Sequence, residues 1–173
     1  HLLIQLADAT LAFAGVIIQS LQSSRQPLIR GLTEERFRNL LDTYFPGLEC
    51  RNGTPGEHDQ PLFAYDEFDD IVALLLAHRA QGDEMELWLA HAVATAAMGE
   101  NHLWQDMGLP NRKVLSALMQ KHFPSLAALN AKDMKWKKFF YRQLCEQAGV
   151  LICKSPHCAE CCDYRICFGP EDA

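Results

Sequence analysis

The chain has 173 residues, 49% of them apolar, which suits a soluble globular domain with a real core. Its net charge of −6 argues against a general nucleic-acid binder, because affinity for phosphate rests on a surplus of Lys and Arg. The charge is uneven: residues 1–131 hold 9 basic and 16 acidic groups and residues 132–173 hold 7 and 6, so an acidic body carries a locally basic end.

The N-terminus, His1 to Ile18, is apolar but interrupted by Gln5 and Asp8. It lacks the basic start of a signal peptide, and its longest apolar piece is too short to span a bilayer. A chain that begins at His rather than Met points to residues upstream, which leaves a targeting or membrane segment open. Leu3, Leu6, Thr10, Phe13, Ile17 and Leu21 recur at helical steps and predict a first helix to about Ser23. Thr33, followed by Glu34 and Glu35, suits the start of a second, whose face of Phe37, Leu40, Leu41 and Tyr44 is stopped by Pro46. Residues 46–64, with three Gly and three Pro, read as a long surface loop; Cys50 and His58 within it read as incidental.

Asp66 is placed to cap a helix carrying Phe68, Ile71, Val72, Leu75 and Leu76, with Gly82 as the left-handed residue that ends it. Asp83 with Glu86 three residues later resembles a capping box and opens a helix to Gly99, antiparallel to the one before. His78 and His91 lie on these helices with no second ligand at i+3 or i+4, so they read as surface or partly buried side chains. Residues 101–108 predict a short turn of helix, Asn111 caps the next helix, Leu126 to Leu129 form a short piece, and Asp133 caps a last long helix from Met134 to Ala148. No sustained β alternation occurs. The expected fold is all-α: a bundle-like domain of six to eight helices over residues 1–150, with a cysteine-rich metal-binding loop over 151–173 packed on it.

That loop holds the chemistry. Five of the seven cysteines lie in the last 21 residues, unlike a disulfide framework spread over a secreted scaffold, and a reducing cytosol suits them better. Cys153, Cys158, Cys161 and Cys167 follow the spacing C-x4-C-x2-C-x5-C. Soft thiolates select zinc, Cu(I) or iron–sulfur clusters. Structural zinc usually takes two separated ligand pairs, whereas one continuous run often wraps an iron–sulfur cluster, and the x4 and x2 gaps coincide with the start of plant-type ferredoxins. The cluster is therefore the first reading and zinc the second. Adjacent side chains such as Cys161 and Cys162 often cannot both face a metal, and spacing alone does not decide between them; His157, beside Cys158, is a further candidate. Cys145 reads as a small buried residue.

The last long helix carries Lys132, Lys135, Lys137, Lys138 and Arg142 beside Trp136, Phe139 and Phe140. An amphipathic helix with a solvated positive side accounts for this. In a functional reading, Lys135, Lys138 and Arg142 attract an anion or an acidic partner surface.

Three segments, MGENHLWQDMGL (98–109), NAKDMKWKKFFYRQLCE (130–146) and CKSPHCAECCDYRICFG (153–169), together resemble the NifQ proteins of nitrogen fixation. The resemblance covers roughly residues 65–170 and leaves the N-terminal third unplaced. It implies an iron–sulfur cluster of the 3Fe or 4Fe type on Cys153, Cys158, Cys161 and Cys167, and so picks Cys161 over Cys162. It also implies that the cluster accepts molybdenum, from molybdate or as a Mo–Fe–S cluster, and supplies it for the nitrogenase iron–molybdenum cofactor. The implied partners are the cofactor-assembly scaffold and the nitrogenase iron protein, in the cytoplasm, with neither nucleic acid nor membrane. In a mixed Mo–Fe–S cluster molybdenum needs ligands beyond sulfide, and Cys162, His157 and His102 are candidates; the plain role of His102 is a helix cap or core-edge histidine.

No nucleophile–base pair or paired-carboxylate motif stands out, which favours a metal carrier over an enzyme. Two other functions compete. One is a zinc-stapled helical interaction module. The other is an iron–sulfur DNA glycosylase of the endonuclease III type, whose cysteine loop shares the x2 and x5 gaps; the acidic body and the missing glycine-rich hairpin disfavour it.

Overall fold

The computed structural model of the chain describes residues 2–54, 66–149 and 158–171. Among these residues the regular structure is helical, as expected. The α-helices are α1 (Leu2–Gln22), α2 (Glu34–Tyr44), α3 (Phe68–Ala77), α4 (Glu84–Ala97), α5 (Leu103–Asp106), α6 (Arg112–His122), α7 (Pro124–Leu129), α8 (Trp136–Gln147) and α9 (Tyr164–Phe168), with a 3₁₀ turn at Cys158–Glu160. None of the described helices is long and apolar enough to cross a membrane. The side chains of Leu3 and Leu6, and all of His58, Cys153 and His157, lie outside the described residues.

The fold is built around α4. Its sequence is apolar or small almost all round, the composition of a helix buried on every side, and Leu89, Ala90, Ala92, Val93 and Ala94 are fully buried. Helices α1, α2, α3 and α5 all pack on it. The alanines let these neighbours approach closely. Another close approach joins α1 to the end of α5, where Gly15 and Gly108 meet backbone to backbone. A methyl on Gly15 would collide with the carbonyl oxygen of Met107.

Three helix starts follow the sequence signals. The side chain of Thr33 accepts from Arg36 N at 3.2 Å, Asp83 from Glu86 N at 3.0 Å and Asn111 from Val114 N at 3.0 Å, each satisfying a donor that the first turn leaves open. Asp66 accepts from Phe68 N at 3.2 Å, while Glu67 is the boundary residue of α3. Asp66 also pairs with Arg30 at 2.5 Å, and that interaction holds its carboxyl below the usual Asp range.

Four local expectations differ. First, α3 ends at Ala77 rather than near Gly82, because the chain beyond it is taken up elsewhere: Ala80 N donates to His122 O at 3.0 Å, and Gln81 N and Gly82 N both donate to Glu86 Oε1 at 2.8 Å. Gly82 supplies its positive φ of 71° in the turn before Asp83. Second, Glu86 is therefore turned toward that loop. It is fully buried, with Oε2 lying 3.7 Å from Nδ1 of the buried His122.

Third, Asp133 does not cap α8. It has a positive φ of 59°, and the helix starts at Trp136. Residues 133–134 are held as a loop by Arg112, which donates to Asp133 O and Oδ1 and to Met134 O, and by Asn130, which bonds both backbone polar groups of Met134 at 2.8 Å. Fourth, the segment from 46 onward is anchored at Asn52, 1% exposed. Asn52 Oδ1 accepts from Ile29 N at 2.8 Å, and its Nδ2 donates to Ile29 O and Leu32 O. The Glu34 carboxylate in turn accepts from Asn52 N and Gly53 N.

Candidate metal centre

Helix α8 holds the cysteine segment to the body. Its apolar side buries Trp136, Phe139 and Phe140, and Trp136 Nε1 donates to Ser116 Oγ at 3.2 Å. Lys135, just before the helix, and Arg142 within it grip the segment. At the helix start, Lys135 N donates to Cys167 O at 2.8 Å. Two turns later, Arg142 NH1 donates to Cys158 Sγ at 2.7 Å, with its Nε on Glu146 Oε1 at 3.1 Å. The Cys158 sulfur first, and Glu146 second, raise the pKa of the guanidinium above its already high value.

The segment itself is a chain of tight turns. Cys161 N donates to Cys158 O and Tyr164 N to Cys161 O, both at 3.1 Å; Cys167 N donates to Asp163 O at 3.3 Å and Gly169 N to Arg165 O at 2.8 Å. The rings of Tyr164 and Phe168 stack at 4.7 Å. Cys158, Cys167 and Phe168 pack against the edge of the core, whereas Cys162 is exposed. The ligand atoms of Cys161, Cys162 and Asp163 lie within 4.8 Å of one another. No two of the described cysteines are joined by a disulfide. A set of soft thiol donors edged by a carboxylate suits a thiophilic metal or an iron–sulfur cluster.

Cys145 departs from the buried position expected of it and is half-exposed, because the buried positions of α8 end at Phe140 and its later turns leave the core. Cys50 is likewise half-exposed, with its Sγ 3.7 Å from Arg51 O. His78 bonds Ser125 Oγ at 2.7 Å, and His91 bonds Leu87 O at 2.8 Å and packs on Phe68.

Beside the cysteine segment lies an open cleft of about 390 Å³. Its walls come from three separate stretches: His102 and Gln105 at α5, Lys135 and Lys138 at α8, and Ile166 of α9 with Glu171 beyond it. His102 has the plain role expected of it: it opens α5 in a capping box with Gln105, whose Oε1 accepts from the His102 backbone N–H at 3.1 Å. Its Nδ1 lies 3.4 Å from Glu171 Oε1, a carboxylate only 4% exposed, and Glu171 Oε2 is 3.2 Å from Arg112 Nε. Lys137 is engaged elsewhere: its ammonium group contacts Asp106 Oδ2 at 2.5 Å and Gly99 O at 2.8 Å. Among the described residues, Lys135 and Lys138 carry no ion pair, so two lysines outside any ion pair line the cleft, which Glu100 and Glu171 also border. The sequence reading missed Arg112, Glu171 and Asp163, since a single charged residue far from its partner in the chain leaves no pattern.

Comparisons with known proteins agree with the three segments. The NifQ family model matches residues 12–169, which brings most of the previously unplaced N-terminal third into the family. Protein NifQ of Azotobacter vinelandii is 41% identical over 155 residues, covering 84% of this chain and 80% of that protein. Protein NifQ of Rhodobacter capsulatus is 38% identical over 142 residues, or 82% and 76% of the two chains. The Protein NifQ homolog of Sinorhizobium fredii is 37% identical over 147 residues, 80% of this chain but 60% of that longer protein. No solved structure matches the chain. With a family match across residues 12–169 and two relatives at 38–41% identity over at least three quarters of their own length, the chain belongs to the NifQ family of nitrogen-fixation proteins.

Proposed function

We propose that this protein carries an iron–sulfur cluster of the 3Fe or 4Fe type on Cys153, Cys158, Cys161 and Cys167, takes up molybdenum there, and supplies it for assembly of the nitrogenase iron–molybdenum cofactor. It acts as a metal carrier in the cytoplasm, and the receivers are the cofactor-assembly scaffold and the nitrogenase iron protein. The observation that carries the reading is the cleft in which two lysines outside any ion pair and His102 lie beside the helix that bears Cys167.

Each part has a chemical task. Cysteine thiolates hold iron, and the sulfides of a cluster are soft donors for reduced molybdenum. Arg142, bonded to Cys158 Sγ, offsets thiolate charge where several anionic sulfurs crowd together. Lys135 and Lys138 attract the metal in its oxyanion form, molybdate, against the acidic field of the body.

A zinc-stapled module is the second reading. The donor atoms of Cys161, Cys162 and Asp163 within 4.8 Å favour it, because bonds of roughly 2.0–2.3 Å to one zinc ion draw its ligands that close together. Anaerobic purification from iron-replete cells, with Fe, S, Mo and Zn quantified and EPR spectra taken before and after reduction, separates the two. The expected result is iron and sulfide with a cluster EPR signal, and molybdenum when molybdate is supplied. Zinc alone would overturn the proposal.

A further inference from the structure

We infer that His102 is a nitrogen ligand to the metal this protein carries, presented to the cleft through Nε2, and that Glu171 is the residue that positions its ring. The inference rests on the carrier reading above and adds to it the ligand that cysteine and sulfide do not supply.

Three observations converge. His102 lines the cleft beside the cysteine segment, together with Lys135, Lys138 and Ile166. Its Nδ1 faces a carboxylate that is 4% exposed, at 3.4 Å. A metal-binding histidine characteristically gives its second nitrogen to a carboxylate, which fixes the tautomer, orients the ring and makes the free nitrogen a better donor. Glu171 is in turn held by Arg112 at 3.2 Å, and Arg112 is bonded to the loop that leads into α8. The orienting carboxylate is thus anchored to the frame that carries Lys135. With Nδ1 on the side of Glu171, the nitrogen left for a metal is Nε2. Lys135 and Lys138 line the same cleft and attract an incoming molybdenum oxyanion at long range, so the cleft offers one nitrogen donor to a metal that arrives as an anion.

A plain role competes, because His102 opens α5 in a reciprocal capping box with Gln105. The variant His102→Asn separates the two, since Asn is among the best residues at a helix start and lacks the imidazole. Full-length wild type, His102→Asn, His102→Ala and Glu171→Gln are loaded anaerobically with iron, sulfide and molybdate. The readouts are Mo:Fe ratio, Mo-edge EXAFS and ¹⁴N coupling by pulsed EPR. Both His102 variants are expected to keep their iron, lose most of the molybdenum, and lose the imidazole scattering and the nitrogen coupling. Glu171→Gln is expected to weaken molybdate uptake roughly 10–100-fold with the imidazole signal retained at saturation. Full molybdenum in His102→Asn with an unchanged spectrum overturns the inference and leaves the carrier reading standing. A wild-type protein with neither iron nor molybdenum overturns the carrier reading itself.

Discussion

His122 and Glu86 form a buried polar pair away from the cleft. Both are buried, and they face each other at 3.7 Å beneath the turn that joins α3 to α4. Burial lowers the pKa of His122 from its ordinary value, and the Glu86 carboxylate opposes that shift without cancelling it. The unfolded chain therefore takes up the proton first as pH falls below ~6.5. Stability contributed by the neutral imidazole is complete above that pH and is lost as pH drops toward the depressed folded value. Urea unfolding of the wild type between pH 5 and pH 7.5 should show stability rising with pH through this window. The slope should be shallower in His122→Asn, and parallel curves for the two proteins would remove His122 as its source.

The same pair shows how far single residues can be read from the chain. Asp83 and Glu86 are visible as a cap signal, and Asp83 fulfils it, yet Glu86 serves Gln81 and Gly82 instead. Asn52 lay in a stretch of Gly and Pro that reads as a surface excursion, but its amide satisfies three backbone groups of residues 29 and 32. Propensity describes what a residue does locally. Neither the bond of Glu86 to Gly82, four residues back, nor that of Asn52 to Ile29, 23 residues back, leaves a trace in propensity.

At the scale of elements, the helices were legible because burial imposes a period on them, and their starts were legible where a short polar side chain caps them. The ends fixed by tertiary hydrogen bonds were not: Arg112 and Asn130 displace the start of α8 past Asp133. The contact between α1 and α5 was equally hidden, since Gly15 inside a long helix gives no hint that Met107 and Gly108 lie against it. Gly15→Ala forces this pair of helices apart, and overpacking of this kind costs about 1–3 kcal/mol. Thermal or urea unfolding measures it; a change under a few tenths of a kcal/mol would mean that the two helices separate freely. Because α5 opens at His102, the same substitution should lower molybdenum loading more than iron loading.

At the scale of the whole molecule, a chain of net charge −6 presents a lysine-lined cleft beside its cysteine segment. The sequence showed the cations of 132–142 but not their division of labour. Lys137 is consumed by Asp106 and Gly99 and Arg142 by Cys158 and Glu146, which leaves Lys132, Lys135 and Lys138, and of these Lys135 and Lys138 line the cleft with His102. An electrostatic role has a signature that a packing role lacks. Steering toward a charged cleft raises association rates by roughly 10–1,000-fold and fades with ionic strength, over a screening length of about 10 Å in 0.1 M salt. The double variant Lys135→Glu/Lys138→Glu should therefore retain the wild-type iron content and take up molybdenum at least about tenfold more slowly at low salt. In 0.5 M salt the two proteins should converge, because screening removes the advantage the wild type had. Stopped-flow or quench measurements of molybdenum incorporation across that salt range decide the matter: equal rates at every ionic strength would assign the lysines to the solvated side of α8, and a deficit that persists unchanged in high salt would assign them to direct contact rather than steering.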